Sequence, residues 1–574
     1  MTPRLRALAA PAASAGLLAL AFPRFDQGWI AWFALVPLLA AVHGAAPRRA
    51  AALGWTTGFL FFVATIYWIP ATISNFTAVP PLAAGGILVL LAAVAAWAYA
   101  ALAWSAELAV AAGVSRLVAV PAAWAVIEWM RGFVVAEFPW NLLGYTQMRY
   151  IAMPQAADLG GVYLLSAAIV ACNVALAEAV GTWREKGWIA WNRLALAVAC
   201  PVLLYAYGTA RLAGLDATPY TGSIRVAVAQ GNIAQDQKWD EALQDSILAR
   251  YLDLTEQAAS AGAQLVVWPE AAVPFYLQRD MRSVEIVDVA RRRGIDLLVG
   301  APGVEDRDGK GPVPYNQAWL IRGDGGVEGP YDKIQLVPFG EYVPLHGLFG
   351  LVDVAVQSIG EFGRGTEHTI FETVPLSAPD GSPATPDDAP LADAPSRDRD
   401  GDRSGARAVR PPTVAGGDAV AATAAPGDPA TDAGRRARFA TLICYEGIFP
   451  GLVREFAAGH PDFLVNISND AWYGDTAAPN QHLEMAAMRA IENRLPLVRS
   501  TNTGISAFVT DEGWIGDTTP LFHQDMVVES VLVRRVWSFY REYGDVFLHL
   551  CQATVALVGL RLVRRRGGRP AAAA

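Results

Sequence analysis

Charge is scarce in this chain of 574 residues. Asp, Glu, Lys and Arg make only 17%, apolar residues make 53%, and mean hydropathy is +0.28. Soluble domains carry about 25% charged residues, so the deficit points to a membrane protein. Basic residues are scattered, and the lack of a basic stripe with interleaved aromatics excludes a nucleic-acid footprint. The net charge of -9 says little about partners, because many acids sit in one low-complexity stretch. Cysteine is also rare: Cys172, Cys200 and Cys551 lie in long apolar runs, where a thiol behaves as a small buried hydrophobe. Only Cys444 lies in the soluble-looking part. Its isolation excludes a disulfide within its own domain and a metal cluster around it. No cofactor is expected, and none of the seven histidines forms a Cys-His arrangement that sequence alone supports.

Apolar runs are what the chain has in abundance. They fall at 8–24, 28–44, 52–73, 83–112, 116–134, 160–180, 193–212 and 546–563. Most approach the ~20 residues that cross a ~30 Å hydrocarbon core. The first is diluted by Pro11, and a cleaved signal peptide is its alternative reading. Eight spans put both ends on one side. Arg4, Arg6, Arg48, Arg49, Arg116, Arg184, Lys186 and Arg564 to Arg566 all fall on that side, which makes it cytoplasmic. The long segment between the seventh and eighth spans then lies outside. Glu128 and Arg131 flank the end of the fifth run. Ionisable groups there are either functional or interfacial snorkels, and they stay outside the catalytic set.

The outer segment reads as α/β. Short apolar runs at Ile224–Gln230, Gln264–Trp268, Asp296–Gly300, Asn316–Ile321, Phe439–Cys444 and Phe463–Ile467 suit buried strands. Helical patterns at Glu241–Ala261, Met281–Arg293, Phe449–Ala458 and His482–Asn493 alternate with them, giving a layered domain. From about Pro375 to Arg435 the chain is Ala, Pro, Asp, Gly, Ser and Arg. Such a composition buries too little apolar surface to offset its ordering entropy, so a disordered insertion is expected. The expected organisation is membrane helices over 1–215, an α/β domain over 222–374 and 436–535 interrupted by 375–435, a last span over 545–565, and a cytoplasmic tail over 566–574.

Three segments could carry chemistry: Val267-Trp268-Pro269-Glu270, Tyr331-Asp332-Lys333, and Leu442-Ile443-Cys444-Tyr445-Glu446. Each places a functional group at a strand end, where α/β sheets present such groups. Singly, each has an ordinary structural explanation. Together, a carboxylate of raised pKa can take the thiol proton and an ammonium can hold an oxyanion.

In order and context, Glu270, Lys333 and Cys444 resemble the Glu-Lys-Cys triad of the nitrilase, or carbon–nitrogen hydrolase, superfamily. The longer segments Gln230-Gly231-Asn232-Ile233, Lys238-Trp239-Asp240, YDKIQLVPFGEYVP, ICYE and Ile467 to Gly474 are similar to the apolipoprotein N-acyltransferase family. So are Phe138-Pro139-Trp140, Leu143-Gly144-Tyr145 and Phe539 to Asp545. The resemblance implies a polytopic α-helical membrane domain of about eight transmembrane helices plus an α-β-β-α sandwich inserted before the last one. It implies an acyltransferase acting through a cysteine thioester, with a phospholipid acyl donor, a diacylglyceryl lipoprotein acceptor and the bilayer as partners. Glu270 would be the base, Lys333 the oxyanion holder and Cys444 the nucleophile. Glu341 and Glu446 match further acids near the site, and Tyr445 could supply a backbone donor. Trp239 and Trp472 match aromatic positions that contact lipid or cover the entrance. The insertion departs from the pattern and must loop out. A membrane-tethered amidase shares the triad but needs one span; a transporter with a dead domain predicts a lost triad member.

Overall fold

A computed structural model describes residues 3–76, 79–134, 137–306, 311–338, 340–342, 362–379 and 432–567. Every apolar run coils. The first four give α1 (Pro3–Ala21), a 3-10 turn at Gly28–Trp32 with α2 (Val36–Val42), α3 (Pro47–Thr65) with α4 (Ile69–Phe76), and α5 (Pro81–Ala95) with α6 (Trp97–Ala112). The others give α7 (Arg116–Met130), α8 (Ala157–Lys186), α9 (Trp191–Asp216) and, last in the chain, Val546–Gly567. Length and composition qualify four described helical stretches to cross a membrane: Pro81–Ala112, Met153–Lys186, Trp191–Asp216 and Val546–Arg565. A fifth qualifies if α3 and α4, bent by 50°, count as one. The eight crossings read from hydropathy therefore exceed what helix length alone supports. The second run breaks because Pro37 begins a fresh helix after the 3-10 turn. α3 packs closely on α6: a Cβ on Gly54 would meet the carbonyl oxygen of Tyr99 at 2.2 Å, so only glycine permits this approach.

The outer segment folds into two six-stranded mixed sheets. The first contains β1 (Gly222–Gln230), β2 (Leu265–Val267), β3 (Asp296–Glu305), β4 (Val313–Ile321), β5 (Val327–Asp332) and β12 (Asp525–Val533), in the order β12-β1-β2-β3-β4-β5. The second contains β6 (Ile370–Pro375), β7 (Arg436–Ile443), β8 (Phe463–Ser468), β9 (Leu497–Thr501), β10 (Ala507–Val509) and β11 (Ile515–Thr518), in the order β11-β10-β9-β8-β7-β6. In each, three central strands run parallel and the flanking ones antiparallel. Strand periodicity separates the faces. Ala227, Val266, Leu297 and Val299 pack with α10 (Gln244–Ser260) and α11 (Ser283–Arg293), whereas Val226, Val228, Leu265 and Leu298 belong to the core shared with the second sheet. α12 (Pro450–Ala457) and α13 (Ala478–Asn493) also contribute to that larger core, through Val453, Phe456, Met485 and Ala486. The result is the expected layered sandwich.

The expected insertion falls largely on residues 380–431, outside the described ones. Its ends meet: Leu376 donates its amide to Arg435 at 2.8 Å, and Gly434 donates back to Leu376 at 2.9 Å, directly before β7 pairs with β6. Buried ion pairs fix the sandwich to the membrane helices. Arg494, just past α13, pairs with Asp158 of α8 at 2.8 Å, and Arg211 of α9 reaches the same carboxylate at 2.7 Å.

Candidate active site

Glu270, Lys333 and Cys444 each lie just beyond a strand: β2, β5 and β7 respectively. The first two come from one sheet and the third from the other, so the site forms where the two sheets face each other. Gly300 of β3 lets Glu270 sit this deep, because a Cβ there would meet Pro269 oxygen at 2.3 Å and the Glu270 Cα at 2.9 Å.

Lys333 Nζ donates to Glu270 Oε1 at 3.1 Å and to Glu341 Oε1 at 3.0 Å. Asn316 Nδ2 bridges the same two oxygens at 2.6 and 3.0 Å. The amide of Asn469 donates to Glu270 Oε2 at 2.9 Å. Glu341 is thus brought beside Lys333 and Asn316. The carboxyl of Glu270 behaves differently from expectation. Burial pushes its pKa up, but the charges of Lys333 and Lys238 with the hydrogen bonds of Asn316 and Lys333 outweigh burial and hold it below the ordinary value. It rests as a carboxylate. Burial would strip the proton from Lys333, yet Glu270 and Glu341 keep it a cation with a raised pKa.

Cys444 is buried and opens a 3-10 turn, Cys444–Ile448, with φ of 53°. That left-handed conformation is unusual for a residue with a Cβ and marks a sharp elbow at the strand end. Burial and the charge of Glu270 push the thiol pKa up, opposed by Lys333. The sulfur rests as a thiol. No hydrogen bond joins it to His482. Its Nε2 lies 3.3 Å from the carbonyl oxygen of Cys444, not at its sulfur, and burial lowers its pKa. Its Nδ1 lies 3.1 Å from Asp470 Oδ1 and 3.0 Å from Arg499 Nη2. Asn466 Nδ2 donates to the Cys444 carbonyl at 3.3 Å, so two side chains pin the elbow's backbone.

Glu446 turns away from the reacting groups. Its carboxyl accepts from Tyr331 Oη at 2.7 Å and from the amides of Ile443 and Ile334, each at 2.6 Å, tying the Cys444 turn to the Lys333 loop. Burial pushes its pKa up to about 7. Tyr445 Oη donates to the carbonyl of Glu137 at 2.8 Å. Glu137 follows α7, and its carboxylate also accepts from Gln335 at 2.6 Å and Tyr342 at 3.1 Å. The loop after α7 therefore holds both the Lys333 loop and the Cys444 turn. Trp239 and Trp472 are 52% and 38% exposed. Phe339, Val343 and Pro344 of the lysine motif lie outside the described residues.

Residues 14–175 match the family described as "Apolipoprotein N-acyltransferase N-terminal domain", and residues 225–531 match "Carbon-nitrogen hydrolase". A protein named apolipoprotein N-acyltransferase from Geobacter metallireducens is 35% identical over 555 residues, covering 96% of this chain and 94% of that one. The chain belongs to the apolipoprotein N-acyltransferase family. A second apolipoprotein N-acyltransferase, from Azotobacter vinelandii, is 32% identical over 97% of this chain and 95% of its own. A crystal structure of an amidase from Nesterenkonia sp. is alike at 18% identity with a TM-score of 0.35, covering 58% of this chain and 97% of that one.

Within this apolipoprotein N-acyltransferase family fold, the sequence reading missed several site residues. Lys238 is buried, and its Nζ donates to the backbone oxygen of Glu270 at 3.1 Å. A lysine beside an exposed Trp239 reads as a solvated cation, so its motif gave the only signal. Asn469 likewise had only its place in the motif Ile467 to Gly474, and Asn316 gave no signal, because neutral amides are common at strand ends. Glu128 and Arg131 are fully buried, which removes the snorkel reading for both.

Proposed function

We infer that this chain transfers a fatty acyl group from a phospholipid, through a thioester on Cys444, to the N-terminal amine of a diacylglyceryl-modified lipoprotein cysteine. The observation that carries this is a buried thiol on a strained elbow, facing an ionised Glu–Lys pair, in a sandwich clamped to apolar helices. In the first half-reaction Glu270 takes the thiol proton as sulfur attacks the ester carbonyl, and Lys333 holds the oxyanion. The tetrahedral adduct expels the lysophospholipid alkoxide, which takes that proton back from Glu270. In the second half-reaction the acceptor amine attacks the thioester, Glu270 accepts an amine proton, and the thiol of Cys444 is regenerated with it. Glu341 and Asn316 hold Lys333 and Glu270 in register. Tyr445 and Glu446 fix the elbow, and Trp239 and Trp472 contact the acyl chains.

Membrane placement suits both substrates, since burial of acyl chains is worth about 0.8 kcal/mol per methylene and neither leaves the bilayer readily. We assign the chain to the bacterial inner membrane, with eight spans, the sandwich on the periplasmic side, and the domain limits read from sequence. The test is incubation of the purified full chain with radiolabelled phospholipid. A hydroxylamine-sensitive acyl group with the mass of a thioester on Cys444 is expected. A folded protein that acquires none defeats the assignment.

Lys238 extends the mechanism. Burial pulls its pKa down to about 8, while the charges of Glu270 and Cys444 oppose that fall. Its remaining charge helps keep Glu270 ionised. In Lys238→Met the Glu270 pKa rises, so a smaller fraction is ionised at a given pH and the acid limb of acyl-adduct formation moves to higher pH. Lys238→Arg should keep the wild-type limb. A uniform loss of rate with an unmoved limb would leave Lys238 a purely structural role.

A further inference from the structure

Lys333, Glu341 and Cys444 each have a near neighbour in sequence that reaches one and the same residue, Glu137. Gln335, two positions after Lys333, donates from Nε2 to Glu137 Oε2 at 2.6 Å. Tyr342, next to Glu341, donates its hydroxyl to the same oxygen at 3.1 Å. Tyr445, next to Cys444, donates to the backbone oxygen of Glu137 at 2.8 Å. The guanidinium of Arg364 lies 4.7 Å over the ring of Tyr342 and 3.9 Å from the Glu137 carboxylate, which gives the cluster a countercharge.

Glu137 can act as a fixed reference because its loop is fastened on two sides. Arg131 donates to the carbonyl of Trp140, and Leu143 donates its amide to Glu128 at 2.7 Å, which ties the loop back to α7. Trp140 is buried, and its Nε1 donates to Gln481 of α13 at 2.8 Å, which ties the loop to the sandwich. Glu137 itself has φ of 47°, a left-handed conformation that a residue with a Cβ keeps only where its surroundings impose it. Its side chain is 29% exposed, so truncating it leaves no closed cavity.

We propose that Glu137 is a positioning residue for acyl transfer, holding the Lys333 loop and the Cys444 turn against one reference so that the ammonium faces the place where the oxyanion forms. Lys333 and Cys444 follow strands of different sheets, so no shared strand sets their separation. An oxyanion donor works only when it is aimed at the oxygen as charge develops there. A misplacement of about 1 Å can cost about a hundredfold in rate. What Glu137 supplies is an acceptor in the right place, which a neutral amide oxygen of the same shape can also supply. The inference rests on the acyl-transfer reading above.

The test follows two reactions of Cys444 in the full chain in detergent, both read from the mass of the peptide that carries it. Acylation by dipalmitoyl phosphatidylethanolamine passes through an oxyanion. Alkylation by iodoacetamide forms the sulfur–carbon bond as iodide leaves, with no oxyanion, so it reports the thiol and its base but not the aim of Lys333. Glu137→Ala should slow acylation at saturating lipid about tenfold or more, with the half-saturating lipid concentration unchanged and alkylation within about twofold of wild type. Glu137→Gln should recover most of the acylation rate, because its amide oxygen accepts from Gln335 and Tyr342. Equal losses in both reactions, a loss confined to the half-saturating concentration, a glutamine variant as slow as the alanine one, or no loss at all overturns the role of Glu137. Wild-type protein that is alkylated but never acylated overturns the acyl-transfer reading, and this inference with it.

Discussion

Cys444→Ala should abolish the acyl adduct and lower N-acyltransferase turnover by at least about a thousandfold, the scale seen when a nucleophile is removed from a catalytic unit that works as one. The structure offers no substitute thiol: Cys172, Cys200 and Cys551 lie on α8, α9 and the last helix, Val546–Gly567, far along the chain from the elbow.

 The short α14 (Phe539–Tyr543) precedes that last helix and carries no thiol either. Removing one sulfur from a buried site costs little next to total stability, about 1–2 kcal/mol. The variant should therefore fold, and intact-mass measurement after incubation with phospholipid checks the result. An adduct that persists on the alanine variant would take the nucleophile's role away from Cys444.

Lys333→Met should be the second most damaging change. One donor to a developing oxyanion is worth roughly 10²–10³ in rate. Lys333 also separates two carboxylates, Glu270 and Glu341, which then share only the amide of Asn316. Without the cation, one of them must take up a proton to relieve repulsion in a buried site. If Glu270 takes it, the base is lost at neutral pH and the acid limb of the rate moves upward. Loss of a buried ion-pair partner costs about 3–5 kcal/mol, so thermal unfolding should fall as well. The measurements are single-turnover adduct formation across pH and a melting curve. A variant with normal rate and an unmoved limb would remove Lys333 from the chemistry.

Much of the fold was legible because its core strands are local, apolar and bounded. The six strands read from sequence correspond to β1, β2, β3, β4, β7 and β8, all largely buried. β5, β6, β11 and β12 were not, since their faces are partly exposed and their alternation is diluted by charged residues such as Glu328, Glu372, Asp517 and Glu529. β9 is fully buried but Arg499, Ser500 and Thr501 interrupt its apolar run. The three site residues were legible from motif order. What holds them was not, because Asn316, Asn469 and Glu137 arrive from strands and loops remote in sequence, and pairing between such segments leaves no local signature. The ionised state of Glu270 was misread for the same reason: burial alone argues for a raised pKa, and only the assembled lysines reverse it. Hydropathy counted spans but could not see the 50° bend between α3 and α4.

The stitched ends at Leu376 and Arg435 carry a consequence for engineering. Because the two flanking strands close on each other through these hydrogen bonds, the register of β6 and β7 does not depend on the residues between them. The position is a natural splice port. A fluorescent or affinity module could be grafted there, or the stretch shortened, with the register of β6 and β7 left to the hydrogen bonds that already define it.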